Sequence, residues 1–193
     1  MIAELVRANR SCRRFDENHP VSSGTLLELI DLARLSASAA NLQPLKYAYA
    51  CNPAVNAEIF GCLKWAGYLE SWAGPPEGER PAAYIIVLQD LKISQRVDCD
   101  HGIAAQSILL GAREKGLAGC IIAAVNRPRL SAILEIEDRL NILLVLAIGR
   151  PREEIVVTPV DPTHGIRYWR NKQGIHHVPK RSLEEIIISH HGS

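Results

Sequence analysis

One stretch of this chain limits its fold more than any other. Residues 100–115 contain GIAAQSILLGAR, which puts small and apolar side chains on nearly every face of a helix. A helix apolar all round lies buried, in a core or at a subunit contact. Gly116 follows it, and helices often end at glycine. Two continuous apolar runs flank this helix in sequence, YIIVL before it and ILLVLAI after it. Short, partly β-branched runs of this kind read as buried strands, here 82–88 and the segment ending at Gly149. Neither approaches the roughly 20 apolar residues that cross a bilayer.

The rest of the pattern interleaves helices and strands. A short helix is expected at 2–9, and Ser22 or Ser23 can cap a second whose buried face is Leu26, Leu29, Ile30 and Ala33. SASAANLQP (36–44) is small, polar and closed by proline, hence a loop. A strand follows at 46–51, then a helix from Pro53 to about 64, with proline in the first turn. GPPEGERP (74–81) is a surface connection. LAGCIIA reads as a strand, 128–134 as a short helix, and SLEEIIIS as a short closing helix or strand. The tail 151–179 shows no strong periodicity and is expected to be extended. The pattern is that of an α/β or α+β sheet protein, which by itself says nothing about chemistry.

Composition narrows the function classes. With 47% apolar and 22% charged residues over 193 positions, the chain is an ordinary globular protein of one domain, neither disordered nor coiled-coil. Lys+Arg and Asp+Glu number 22 and 21, a net charge of +1, so no net field draws it to nucleic acid or a membrane. Five cysteines, an odd number with no CxxC pair, support neither a disulfide framework nor a zinc knuckle. The opening MIAELVRANR carries charge too early for a signal peptide. A soluble, cytoplasmic protein is expected.

Three polar clusters stand out. NRSCRRF (9–15) gathers Arg10, Ser11, Arg13 and Arg14 after a short helix. Planar guanidinium forks match phosphate oxygens, although such a cluster is also what a solvated charged turn looks like. Ser38, Asn41 and Gln43 lie in the small-residue loop, where amides and hydroxyls can hydrogen-bond a planar heterocycle or simply form turns. HHVPKR (176–181) places Lys180 and Arg181 before the last element. Its adjacent His176 and His177 point to opposite faces of an extended chain, with no carboxylate or cysteine at ligand spacing, so no metal site is expected. G-x-S-x-G, G-x-G-x-x-G and G-x-x-x-x-G-K-[ST] are absent, which argues against an α/β-hydrolase nucleophile, a Rossmann dinucleotide site and a P-loop. Trp65, Trp72 and Trp169 can cover a flat ligand or pack a core.

Taken in order, these segments resemble the FMN-dependent nitroreductases. NRSCRRFDENHPV resembles the family's R-R-S-x-R-x-F opening, and SASAANLQPLKY its P-S-x-x-N-x-Q-P segment. DHGIAAQSILLGAREKGLAGCII is similar to the family's central helix and glycine turn, LLVLAIGRPREE to its closing strand, and HHVPKRSLEEII to its C-terminal Lys/Arg element.

The resemblance implies an α+β fold with a central, mostly antiparallel sheet wrapped by helices. It implies an intertwined two-fold homodimer with FMN at each subunit junction, and 151–181 crossing to the partner. Ser11 and Arg13, joined by Arg10, are implied at the flavin phosphate and the ribityl–isoalloxazine region, and Lys180 and Arg181 at the phosphate from the far end of the chain. Ser38, Asn41 and Gln43 are implied to line the cofactor, Ser38 from the partner, with the backbone of Ala123 and Ala124 near flavin N5. The implied reaction carries a hydride from NADH or NADPH through flavin to a small organic acceptor such as a nitroaromatic or quinone, with no side chain assigned as general acid or base. The alternative is a flavin- or nucleotide-binding module without turnover on the same fold. Asn9 replaces the family's usual first arginine, Leu45 its usual aromatic, and 64–80 is short, so the substrate side departs more than the cofactor side.

Overall fold

The computed structural model describes residues 1–69 and 71–192. The described residues cluster into two compact units, Met1–Trp65 with Ala73–Arg152, and Ala66–Trp72 with the chain from Glu153 onward.

The first unit carries the sheet. Its strands are β1 (Phe15–Asp16), β2 (Leu45–Ala50), β3 (Ala83–Asp90), β4 (Ala118–Ile122) and β5 (Leu140–Pro151), and every pairing among them is antiparallel. β3 lies between β2 and β5, and β5 also pairs with β4 and β1. All eight residues of β3 are buried, because a strand apolar on both faces is stable only when both are covered.

Its helices are α1 (Ile2–Ala8), α2 (Ser23–Arg34), α3 (Pro53–Phe60), α4 (Asp100–Glu114) and α5 (Arg127–Ile133). On one sheet face, Ala83, Ile85 and Val87 of β3 and Leu146 and Ile148 of β5 form a single core with α2 and α4. The all-apolar helix therefore resolves towards the core of its own chain: Ala104, Ala105, Ile108 and Ala112 are all buried there. Gly111 makes the α2–α4 approach close, since a Cβ there would fall 2.2 Å from Leu32 Cδ1. Tyr84, Ile86 and Leu88 alternate onto the opposite face and are also buried.

Local signals account for most boundaries. Ser22 caps α2 by accepting from Thr25 N at 3.0 Å, and Asn52 caps α3 ahead of Pro53. α3 ends at Phe60, short of the expected 64, because the chain turns at Gly61 and Leu63 bridges to Val125. In the connection before β3, Gly74 sits at φ +123°, where a Cβ would fall 2.7 Å from Trp65 Cδ1. Only glycine fits there.

The second unit corrects the expectation of an irregular tail. β6 (Ile155–Pro159) pairs in parallel with β8 (His176–Lys180), and β7 (Trp169–Arg170) pairs antiparallel with β8. Rings replace aliphatic periodicity: His164 stacks on Trp169 at 4.3 Å between centroids, and Trp169 on His177 at 4.0 Å. Arg170 lies 4.3 Å over the Trp72 ring and donates to the buried Glu153 carboxylate at 2.9 Å. A single-turn helix, α6 (Leu183–Ile186), is closed by a Ser182–Glu185 capping box. Among the described residues no helix is long and apolar enough to cross a membrane.

Candidate functional site

The arginine segment is placed by backbone pairing. Ser11 bridges in parallel to Gly119 at the start of β4, and Cys12 N donates to Gly119 O at 2.9 Å. This docking leaves Ser11 exposed and buries Cys12 and Arg13. Arg13 Nη1 donates to Ser11 O at 3.3 Å, so its guanidinium folds back over the docked segment. Arg10 Nη2 donates to Val6 O at 2.6 Å and closes α1, while Arg10 Nε is buried without a hydrogen-bond partner among the described residues. Arg14 has a different task. Its Nε and Nη2 donate to the Glu79 carboxylate at 2.5 and 2.7 Å.

The far end of the same strand carries the other candidates. Ala123 and Ala124 are exposed just beyond β4. Both carbonyls are held: Ala123 O accepts from Arg127 Nη2 at 3.2 Å, and Ala124 O from Lys64 N at 3.0 Å. Arg127 also donates to Ile142 O and Leu143 O at 2.8 and 3.2 Å, fixing the peptide it holds against β5. Ala123 lies four positions past Gly119, a rise of about 13 Å along a strand. The Ser11 bridge and the two alanines thus mark opposite ends of β4.

The loop 36–44 is anchored on α4. Buried Asp100 accepts from Ser38 Oγ at 2.6 Å and from Ala39 N at 3.0 Å. Ser38 Oγ in turn accepts from Gln43 N at 2.9 Å, and Gln43 Nε2 donates to Asn41 O at 3.2 Å. Ala40, Asn41 and Gln43 all take left-handed backbone, φ 48°, 54° and 52°, which non-glycine residues adopt at a cost. The Asp100 carboxylate holds this strained loop together and leaves the amides of Asn41 and Gln43 exposed. Beneath it lies a cavity of about 220 Å³ whose wall includes Ser38, Gln43, Tyr47 and Asp100. Burial, aided by the Asp100 charge, pushes the Tyr47 hydroxyl up to about 12.

Lys180 and Arg181 belong to the second unit. The Lys180 carbonyl accepts from Val160 N at 3.2 Å, and Arg181 Nη1 donates to Glu185 at 3.3 Å. His176 and His177 pack against the rings of Tyr168 and Trp169. Sequence reading missed Asp100 and Arg127. The signals for them were slight: a carboxylate at the head of the buried helix, and an arginine just after the β4 run.

A mostly antiparallel sheet, a small-residue central helix and an arginine segment docked on β4 define a class: an α+β protein of nitroreductase architecture. The profile of the Nitroreductase family matches residues 6–150, and the chain belongs to that family. A Bacillus subtilis (strain 168) protein described as a candidate NAD(P)H nitroreductase, MhqN, is 24% identical over 182 residues, covering 78% of this chain and 88% of the relative. The FMN-dependent nitroreductase of Clostridium difficile R20291 superposes with a TM-score of 0.66 at 20% identity, covering 80% of this chain and 89% of its own. A nitroreductase family protein of Streptococcus pneumoniae TIGR4 reaches 0.69 at 18% identity, over 98% of this chain and 100% of its own.

Proposed function

We propose that this chain binds FMN and carries a hydride from NADH or NADPH to a small organic acceptor such as a nitroaromatic or quinone. One observation carries the reading. The Ser11–Arg13 segment is pinned to the start of β4, and the exposed Ala123–Ala124 peptides, fixed through their carbonyls, continue from its end. That strand offers an anion-binding end and a hydrogen-bonding end for one elongated ligand. The partnerless, buried Arg10 Nε fits the same ligand, because an unpaired buried donor costs stability unless something accepts from it.

In this reading Arg10, Ser11 and Arg13 hold the phosphate and ribityl end. Arg13 is screened from water, so its charge acts more strongly on negative charge nearby than an exposed guanidinium does. Arg127 and Lys64 set the direction of the Ala123 and Ala124 peptides. Asp100 holds the loop that presents Asn41 and Gln43, with Ser38 as its hinge. When bound, FMN supplies the hydride chemistry itself, and the protein supplies binding, orientation and charge. No side chain is assigned a proton.

The working molecule in this reading is a two-fold homodimer, in which Ser38 serves the partner's flavin, 151–181 crosses over, and Lys180 and Arg181 reach the phosphate. Exposed Leu27, Leu32 and Leu35, and exposed Leu183, Ile187 and Ile188, offer apolar surface for such an assembly.

Flavin titration tests the phosphate assignment. Arg181→Ala is expected to weaken FMN binding by about tenfold to a hundredfold, the loss of one charged hydrogen-bonding contact. Riboflavin, which lacks the phosphate, is expected to lose far less, and Arg113→Ala on α4 serves as control. Equal losses for the two flavins would remove Arg181 from the phosphate site.

A further inference from the structure

The first unit holds a second cavity, of about 270 Å³, lined by none of the residues assigned to flavin. It lies where the end of β2 and the start of β3 meet α3. Its wall is apolar and flat in part, with Phe60, Pro53, Pro81 and Ala57, and into it come Asn56, Arg80 and Tyr84. Tyr84 is 0% exposed and its hydroxyl has no partner among the described residues. Asn56 is 7% exposed; its amide nitrogen donates to Ala82 O at 2.7 Å, which turns Oδ1 the other way, and Oδ1 too has no partner. Buried Arg80 Nε is the third such atom, on a guanidinium that rests 4.6 Å over the Phe60 ring and forms no ion pair among the described residues. Native proteins seldom leave one buried polar atom unpaired, and here three belong to residues grouped around one space.

The chemistry of those atoms selects the ligand. Arg80 Nε–H and the Tyr84 hydroxyl can donate to a carbonyl, and Asn56 Oδ1 must accept from an N–H. The Glu17 carboxylate, also in the wall and held by Gly78 N at 2.5 Å and Arg80 N at 3.3 Å, offsets the Arg80 charge, so the lining is neutral. A carboxylate ligand would set its second oxygen against acceptors, and a hydrocarbon would leave all three atoms unsatisfied. A water occupies about 30 Å³, so the space exceeds what one bridging water fills. We propose that this cavity binds a small neutral single-ring molecule bearing a carboxamide or lactam edge, at a site separate from the flavin-binding strand.

Cys51 lines the same cavity and is partly buried, whereas Cys99 is the exposed cysteine and Cys12, Cys62 and Cys120 are buried. In a Cys99→Ser background, the rate of Cys51 alkylation by N-ethylmaleimide, read on its peptide by mass spectrometry, reports occupancy here and not at the flavin. Benzamide is expected to protect with a dissociation constant on the order of 1 mM, reasonable for so small a molecule. At three times that concentration the rate is expected to fall about fourfold, by simple occupancy. Benzoate and benzyl alcohol are expected to protect less. Tyr84→Phe keeps the ring and removes the hydroxyl, and is expected to weaken benzamide by about twofold to tenfold. No protection by benzamide, equal protection by benzoate, or an unchanged constant in Tyr84→Phe each overturns the assignment.

Discussion

At the scale of single residues, Asp100 matters more to the candidate site than its lack of any predicted role suggests. It accepts from Ser38 and from Ala39 N, and through Ser38 it fixes Gln43. Asp100→Ala leaves buried donors unpaired and is expected to cost about 1–3 kcal/mol in denaturant unfolding. Flavin affinity is expected to fall with it, and Asp100→Asn, which keeps an acceptor, to recover part of both. A variant as stable and as flavin-competent as the parent would show that the loop holds itself. Tyr47 lines the cavity beneath that loop. Its pKa, raised to about 12, exceeds the ordinary tyrosine value of about 10, so above pH 10 the unfolded chain loses its proton first and stability falls as pH rises towards 12. Tyr47→Phe is expected to flatten that alkaline limb of the stability curve. The loop was legible as polar and proline-closed, with Ser38, Asn41 and Gln43 among its polar side chains. That Ser38 Oγ serves its own loop was not, because its partner lies 62 positions away.

Between elements, the β3–β5 pair was the easiest feature to read, since two unbroken apolar runs leave few alternatives to a doubly covered strand pair. Its end is closed by Arg139, which pairs with Asp90 at the end of β3 and with Glu137. Hydrogen bonding to Arg139 holds both carboxyls below their ordinary range. Their stabilising effect is present above the ordinary carboxylate pKa and is lost as pH falls through the lowered values. Arg139→Met is expected to move the acid-unfolding midpoint to higher pH, and an unmoved midpoint would show that the clamp contributes nothing. Gly119 was legible only as a glycine in an apolar run. A Cβ there would fall 2.6 Å from both Ala147 O and Leu109 Cδ2, and Ser11 docks on this same residue. Gly119→Ala is expected to cost about 1–3 kcal/mol by overpacking and to loosen flavin binding along with stability. The early end of α3 escaped sequence reading because Cys62 and Leu63 continue its apolar character past Gly61, although they are buried in a turn. The small sheet of the second unit escaped it because stacked rings carry no period of two or of 3.6.

For the whole molecule, the family was legible from the order of five weak motifs. The last of them, HHVPKRSLEEII, forms β8 and α6 of the second unit. The proposed homodimer predicts that sedimentation at micromolar concentration gives twice the mass of the chain, and a flavin-loaded monomer would contradict it. Ala105→Glu on α4 is expected to unfold the chain rather than only part the subunits, since Ala105 lies in the core of its own chain. The central claim, that the Ser11–Arg13 segment and the Ala123–Ala124 peptides at the two ends of β4 hold a flavin reduced by a nicotinamide nucleotide, is tested most directly by anaerobic absorption spectroscopy. The purified protein is expected to show the yellow bands of bound flavin, to bleach on addition of NADH or NADPH, and to recover colour when a quinone or nitroaromatic is added. A protein that holds FMN yet does not bleach with either nucleotide would contradict the account and leave a flavin-binding module without turnover.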